Sequence, residues 1–251
     1  MLDFEKKAQC MGCTACYAVC PKNAIKMIPS SEGFYVSQID DTLCVNCGAC
    51  ERVCPVINPP TEKPERNDTP TCTQAFSLDM KSRAQSTSGG IFYELAKNVL
   101  EEKGIVCGCL WDENFKATHV CTDDISIVQK MRSSKYVQSD LGNCFREIKD
   151  YVKSRKVLFT GTPCQVDALS RYIGENDNLL TCALICGGTP SPKVWQLYKE
   201  ALEKKYNSKV VYVNLRSKAH KWLIALVEIR FANGKSLQEP LIQNLYGANY
   251  G

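Results

Sequence analysis

Cys10-Met-Gly-Cys13-Thr-Ala-Cys16-Tyr-Ala-Val-Cys20-Pro21 and Cys44-Val-Asn-Cys47-Gly-Ala-Cys50-Glu-Arg-Val-Cys54-Pro55 are two copies of one pattern, CxxCxxCxxxCP. The second copy starts 34 residues after the first, at Cys44 against Cys10. Three cysteines at intervals of three put their thiolates on one tight loop around the face of an iron–sulfur cube, and the fourth ligand must come from elsewhere. Gly12 and Gly48 let the loop backbone approach without a Cβ in the way.

In paired runs of this kind the cysteine before proline ligates the other run's cluster. The spacing therefore predicts one 4Fe-4S cluster on Cys10, Cys13, Cys16 and Cys54, and a second on Cys44, Cys47, Cys50 and Cys20. Zinc in four-cysteine sites is the alternative, but zinc motifs pair two CxxC knuckles rather than three cysteines plus a fourth before proline. Proline after Cys20 and Cys54 biases both residues away from helical ψ and ends the short helix that carries each. Ile25 to Ile28 and Phe34 to Val36, around the Pro29 to Gly33 turn, read as two short strands between the runs.

The chain has 251 residues, 44% hydrophobic and 23% charged, enough to bury a core, and 16 cysteines. The Met1-Leu-Asp-Phe-Glu-Lys-Lys start lacks the apolar stretch of a secretory signal, and no apolar run reaches a membrane span. A soluble, cytoplasmic protein is expected, in which clustered cysteines are metal ligands or redox groups rather than a secreted disulfide scaffold. Residues 1–60 carry a net charge of −1 within a total of +4. The basic surplus of the remainder forms no Lys/Arg block, which points away from nucleic acid and toward an anionic cofactor.

The expected architecture is an α+β ferredoxin-like two-cluster domain over 1–57, a proline-rich linker over 58–71, and an α/β domain with a mixed sheet over 72–251. So small a first segment has little core of its own, and its folding is expected to require cluster assembly. Strands are predicted at 105–110, 117–121, 156–160, 179–185 and 210–215, and in a hairpin 223–231/235–237 turned by Asn233-Gly234. Helices are predicted near 90–103 (inner face Ile91, Leu95, Val99), 141–152 and 165–173, and from Ser191-Pro192 onward (inner face Val194, Leu197, Ala201, Leu202).

Two turns stand out. Ser86-Thr-Ser-Gly-Gly90 precedes a helix and reads either as an anion cradle or as a serine N-cap. Thr160-Gly-Thr-Pro-Cys164 lies at a strand's carboxyl end, where open α/β sheets place ligands, and Cys186 takes the equivalent place after the next strand. Cys72, Cys107, Cys109, Cys121, Cys144 and Cys182 read as packing residues, His119 as a satisfied structural histidine, and His220 as part of a basic loop. Two histidines outside any nucleophile motif argue against a hydrolase.

Ser88-Gly-Gly-Ile-Phe92, Ser134-Lys-Tyr-Val-Gln-Ser139, Lys156-Val-Leu-Phe-Thr-Gly-Thr-Pro-Cys-Gln165, Cys186-Gly-Gly-Thr-Pro-Ser-Pro-Lys-Val-Trp195 and Arg216-Ser-Lys together resemble the coenzyme F420 hydrogenase/dehydrogenase beta subunit family in its ferredoxin-fused bacterial form. The resemblance implies an iron–sulfur flavoprotein oxidoreductase of anaerobic metabolism, with FAD exchanging hydride with a soluble carrier such as the deazaflavin F420. It also implies a redox partner protein or soluble electron carrier. By that resemblance Ser88, Gly89, Gly90, Lys135, Gly161, Thr162 and Pro163 lie near the flavin, and Cys164 and Cys186 match two ligands of a further cluster. The sequence lacks the family's later CxxC pair and has Gly187 where histidine is usual, so a third cluster is not complete and the second domain is expected to lack its C-terminal part. The alternative is an electron-transfer subunit without two-electron chemistry. No catalytic residue and no oligomeric state is assigned.

Overall fold

The computed structural model describes residues 10–59, 71–221 and 224–247, and the expected linker lies largely outside them. The chain is a mixed α+β structure. Its first part holds α1 (Ala15–Val19), the hairpin β1 (Ile25–Pro29) and β2 (Tyr35–Ile39), and α2 (Ala49–Arg52). The hairpin pairs antiparallel with Ile25 opposite Ile39. Cys20 stands at ψ 113, so the helix stops where the following proline requires.

The central sheet has four strands. It is built from β3 (Ile105–Trp111), β4 (Ala117–Thr122), β5 (Val157–Gly161) and β6 (Leu179–Ala183). The β3/β4 pair is antiparallel, whereas β3/β5 and β5/β6 are parallel, so the sheet is mixed. Every residue of β5 is buried, which accounts for its unbroken apolar run. Alternate side chains serve opposite faces: Val106 and Leu158 pack toward α4 (Ile91–Glu101) and α5 (Ile125–Met131). Ile105, Cys107, Val157 and Phe159 pack toward α6 (Cys144–Tyr151) and α7 (Pro163–Ile173).

That second core also contains Ala15, Ala18 and Val53 from the cysteine-rich segment. The segment is therefore packed into the sheet's own core rather than standing alone. Arg146 of α6 donates to the Tyr17 and Ala18 carbonyls at 2.7 and 3.2 Å and lies over the Tyr17 ring. Ser191 and Lys193 reach the β1–β2 turn by donating to the Glu32 and Ser31 carbonyls.

A separate antiparallel sheet, β7 (Val210–Lys221), β8 (Ile224–Phe231) and β9 (Ser236–Pro240), shares a core with α8 (Pro192–Tyr206). Two short helices escaped the sequence reading, α3 (Met80–Ala84) and α5, each opened by an aspartate cap, Asp79 and Asp124. The faces of two helices are corrected as well. The buried residues of α4 are Tyr93, Ala96 and Val99 while Ile91 is 37% exposed, and α8 buries Trp195, Lys199 and Leu202 while Val194 and Leu197 face outward. The Trp195 indole donates to the Phe115 carbonyl and Lys199 to that of Asn114, which fixes that rotation. Among the described residues no helix is long and apolar enough to cross a membrane.

Candidate iron–sulfur centres and the adjoining sheet end

The two cysteine loops are locally alike. Gly12 and Gly48 have φ of 63° and 69°, and Thr14 and Asn46 are also left-handed, so each loop curls tightly inward. At Gly12 the close neighbour is protein: a Cβ there would run into the Gln138 amide and the Tyr35 carbonyl.

Cys20, Cys44, Cys47 and Cys50 line one pocket with Pro21, Ile25 and Ile39, and they are the four ligands expected for the second cluster. In the first loop burial pushes the Cys13 and Cys16 thiols up to about 12, so a thiolate at either position needs a cation beside it. The Cys10, Cys54 and Cys164 sulfurs all lie near enough to Cys13 to push it the same way. Cys54, from the second run, thus lies within electrostatic reach of the first run. Thr14 adds a buried hydroxyl with no partner among the described residues. A pocket walled by four thiols, a buried thiol set and an orphaned hydroxyl fit two iron–sulfur clusters.

Cys164 opens α7 at the carboxyl end of β5, and its sulfur lies 3.1 Å from Thr162 Oγ1 as well as near Cys13. Cys186 is exposed and accepts from the Gly188 N–H at 3.4 Å. The described contacts bring Cys164 to the first cysteine run and leave Cys186 apart from it.

At the carboxyl end of the sheet, residues 134–139 link the two turns that hold expected cofactor residues. Ser134 N–H donates to Thr87 Oγ1 at 3.0 Å, next to Ser88. At the far end of that segment Gln165 Nε2 donates to Ser139 Oγ at 3.0 Å, while the Thr162 N–H donates to Gln165 Oε1 at 3.0 Å. One segment therefore spans from the Ser88–Gly90 turn to the Gly161–Pro163 turn. Lys218 Nζ donates to the Ser88 and Arg83 carbonyls at 2.6 and 3.0 Å, and burial, with Arg83 adding to it, lowers its pKa. Nothing in the local sequence of Arg216-Ser-Lys signals this contact.

Gly90 caps α4 in the left-handed conformation at φ 87° with no side-chain cap, and Ser86 Oγ donates to Ser82 O instead, so no serine caps this helix. Lys135 Nζ lies 2.8–3.1 Å from the carbonyl oxygens of Lys130, Met131, Arg132 and Ser133, at the end of α5, and its three hydrogens are shared among them. Burial draws its ammonium down to about 8, whereas those four oxygens favour the charged form. His119 is half satisfied: Nε2 lies 3.2 Å from Thr160 O, Nδ1 has no partner among the described residues, and burial holds its pKa down at about 4. The side chain of His220 lies outside the described residues.

The packing assignment of six cysteines is corrected in two ways. Cys72 is exposed, and Cys107, Cys121 and Cys144 are brought together with their sulfurs within 4.8 Å of one another.

Residues 9–58 match the 4Fe-4S dicluster domain family, and residues 154–239 match the family described as the C terminus of the coenzyme F420 hydrogenase/dehydrogenase beta subunit. No curated protein matches the chain. Among solved structures, a chain of the F420-reducing [NiFe] hydrogenase complex from Methanosarcina barkeri is similar at 20% identity and a TM-score of 0.46. The likeness covers 70% of this chain and 60% of that one.

Proposed function

Since the chain belongs to the coenzyme F420 hydrogenase/dehydrogenase beta subunit family, we propose that it is an oxidoreductase passing electrons between two 4Fe-4S clusters and a flavin in residues 72–251. The clusters would supply single-electron exchange, and the flavin the conversion to hydride exchange with a soluble carrier of the F420 type. Cys10, Cys13, Cys16 and Cys54 would hold one cluster, and Cys44, Cys47, Cys50 and Cys20 the other.

The observation that carries the reading is the position of Cys164, within electrostatic reach of Cys13 and in the first turn of α7. It joins the first cysteine run to the carboxyl end of the sheet, where α/β folds bind their ligands. The second run lies farther out, with Cys47, Val45 and Leu43 exposed, and is the face for a redox partner. Ser88, Gly89 and Gly90 would present backbone N–H groups at the start of α4 to a phosphate, with Lys218 held on the Ser88 carbonyl beside them. The Gly161–Pro163 turn and Lys135 would lie beside the same cofactor.

Anaerobic purification followed by flavin absorbance, iron and sulfide assays tests this reading. Eight irons with bound flavin, and reduction by a deazaflavin, are expected. Eight irons without flavin, and no response to a deazaflavin or nicotinamide, would overturn the oxidoreductase in favour of a relay subunit that only stores and passes single electrons.

A further inference from the structure

Away from the cluster loops, three cysteines that are distant in sequence share one point. Cys107 and Cys121 are cross-strand partners in the β3/β4 register, and Cys144 is the first residue of α6, which packs over them. Their sulfurs all lie within 4.8 Å of one another, and Cys121 Sγ is 3.3 Å from Cys144 Sγ. Cys107 and Cys144 are fully buried, while Cys121 faces partly outward. One turn along α6, the exposed Glu147 stands on the Cys121 side, outside the set whose ligand atoms all lie within 4.8 Å of one another.

We propose that Cys107, Cys121 and Cys144 form a zinc site of three thiolates, with an oxygen donor on the outer side where Glu147 stands. A Zn–S bond of about 2.3 Å places tetrahedral sulfurs about 3.8 Å apart, inside the 4.8 Å that bounds this triangle and about 0.5 Å wider than the 3.3 Å between Cys121 and Cys144. A cubane holds its cysteine sulfurs beyond a whole iron–iron edge, so the triangle has room for one ion and not four. A disulfide requires about 2.05 Å between two sulfurs and leaves the third idle. Zinc is favoured over a monovalent soft cation because its two charges offset more of the thiolate charge in an apolar surround, and because it accepts a carboxylate oxygen that copper(I) does not favour. The amino terminus of α6, with no side chain capping it, adds its positive end at Cys144. Bound there, the ion would tie β3, β4 and α6 together beneath the first cysteine run.

Full-length chain expressed with zinc and purified anaerobically should carry about one zinc beside its full iron. X-ray absorption at the zinc edge, which iron does not obscure, should show three sulfurs at about 2.3 Å and one light atom. Cys121→Ser should lose at least nine-tenths of the zinc and keep its iron, whereas Cys72→Ser should keep both. Should Cys121→Ser fail to fold, the first shell of the unaltered protein decides. A four-sulfur shell would mean zinc in the cysteine runs. That result, copper in place of zinc, an iron-replete protein without zinc, or a two-dalton mass loss locating a Cys121–Cys144 disulfide would each overturn the site.

Discussion

Gln138 binds the backbone of Tyr35 on both sides, accepting from the Tyr35 N–H at 2.7 Å and donating to its carbonyl at 3.3 Å. A single side chain thus imitates a strand partner for β2 while its amide presses on Gly12. Gln138→Ala should cost about 1–3 kcal/mol in denaturant unfolding of the iron-loaded protein, because the Tyr35 groups lose a partner in a half-buried place. Gly12→Ala should cost at least as much, since φ of 63° and the Gln138 contact both oppose a Cβ.

The crossed cysteine assignment is testable one residue at a time. Cys20→Ser should damage the cluster of the outer pocket that Cys20 shares with Cys44, Cys47 and Cys50. Cys54→Ser should damage the cluster beside Cys13. Electron paramagnetic resonance of the two reduced variants should show different surviving signals; loss of the same signal in both would refute the crossing.

Arg146→Met removes two charge-assisted hydrogen bonds to the Tyr17 and Ala18 carbonyls and the contact over the Tyr17 ring. A loss of about 2–4 kcal/mol is expected, with faster amide exchange at α1 than at β5. Uniform exchange changes across both elements would argue against a local clamp.

On the proposed flavin site, Lys218→Met should lower flavin retention by about tenfold without changing the iron content, because Lys218 holds the Ser88 carbonyl as well as adding charge. Gel filtration followed by flavin fluorescence reads this directly. Lys218→Arg should restore only part of the retention, since a forked guanidinium does not match one ammonium donating to two carbonyls.

Much of this architecture was written in local sequence. The apolar run of β5, the Asn233-Gly234 turn and the proline after Cys20 each have one physical outcome, and the structure follows them. The cysteine runs announced their chemistry through spacing alone. What local sequence does not hold is the partner across space. Leu197 looked like core because it is apolar, yet Trp195 and Lys199 find carbonyls on the other side of α8 and turn it outward. Helix α5 is too short for periodicity to show, although Asp124 before Ile125 was a usable start signal. Cys107, Cys121 and Cys144 meet only through strand register and helix packing, and no spacing rule reveals that.

Ala15, Ala18 and Val53 sit among Ile105, Phe145 and Phe159, where they complete the packing of the sheet. A fault in the cysteine loops therefore cannot stay in the loops. A chain made without metal should expose the apolar flank of its central sheet, and proteases and chaperones act on such flanks. Its abundance in a growing culture should accordingly rise and fall with the iron supply, even at constant synthesis.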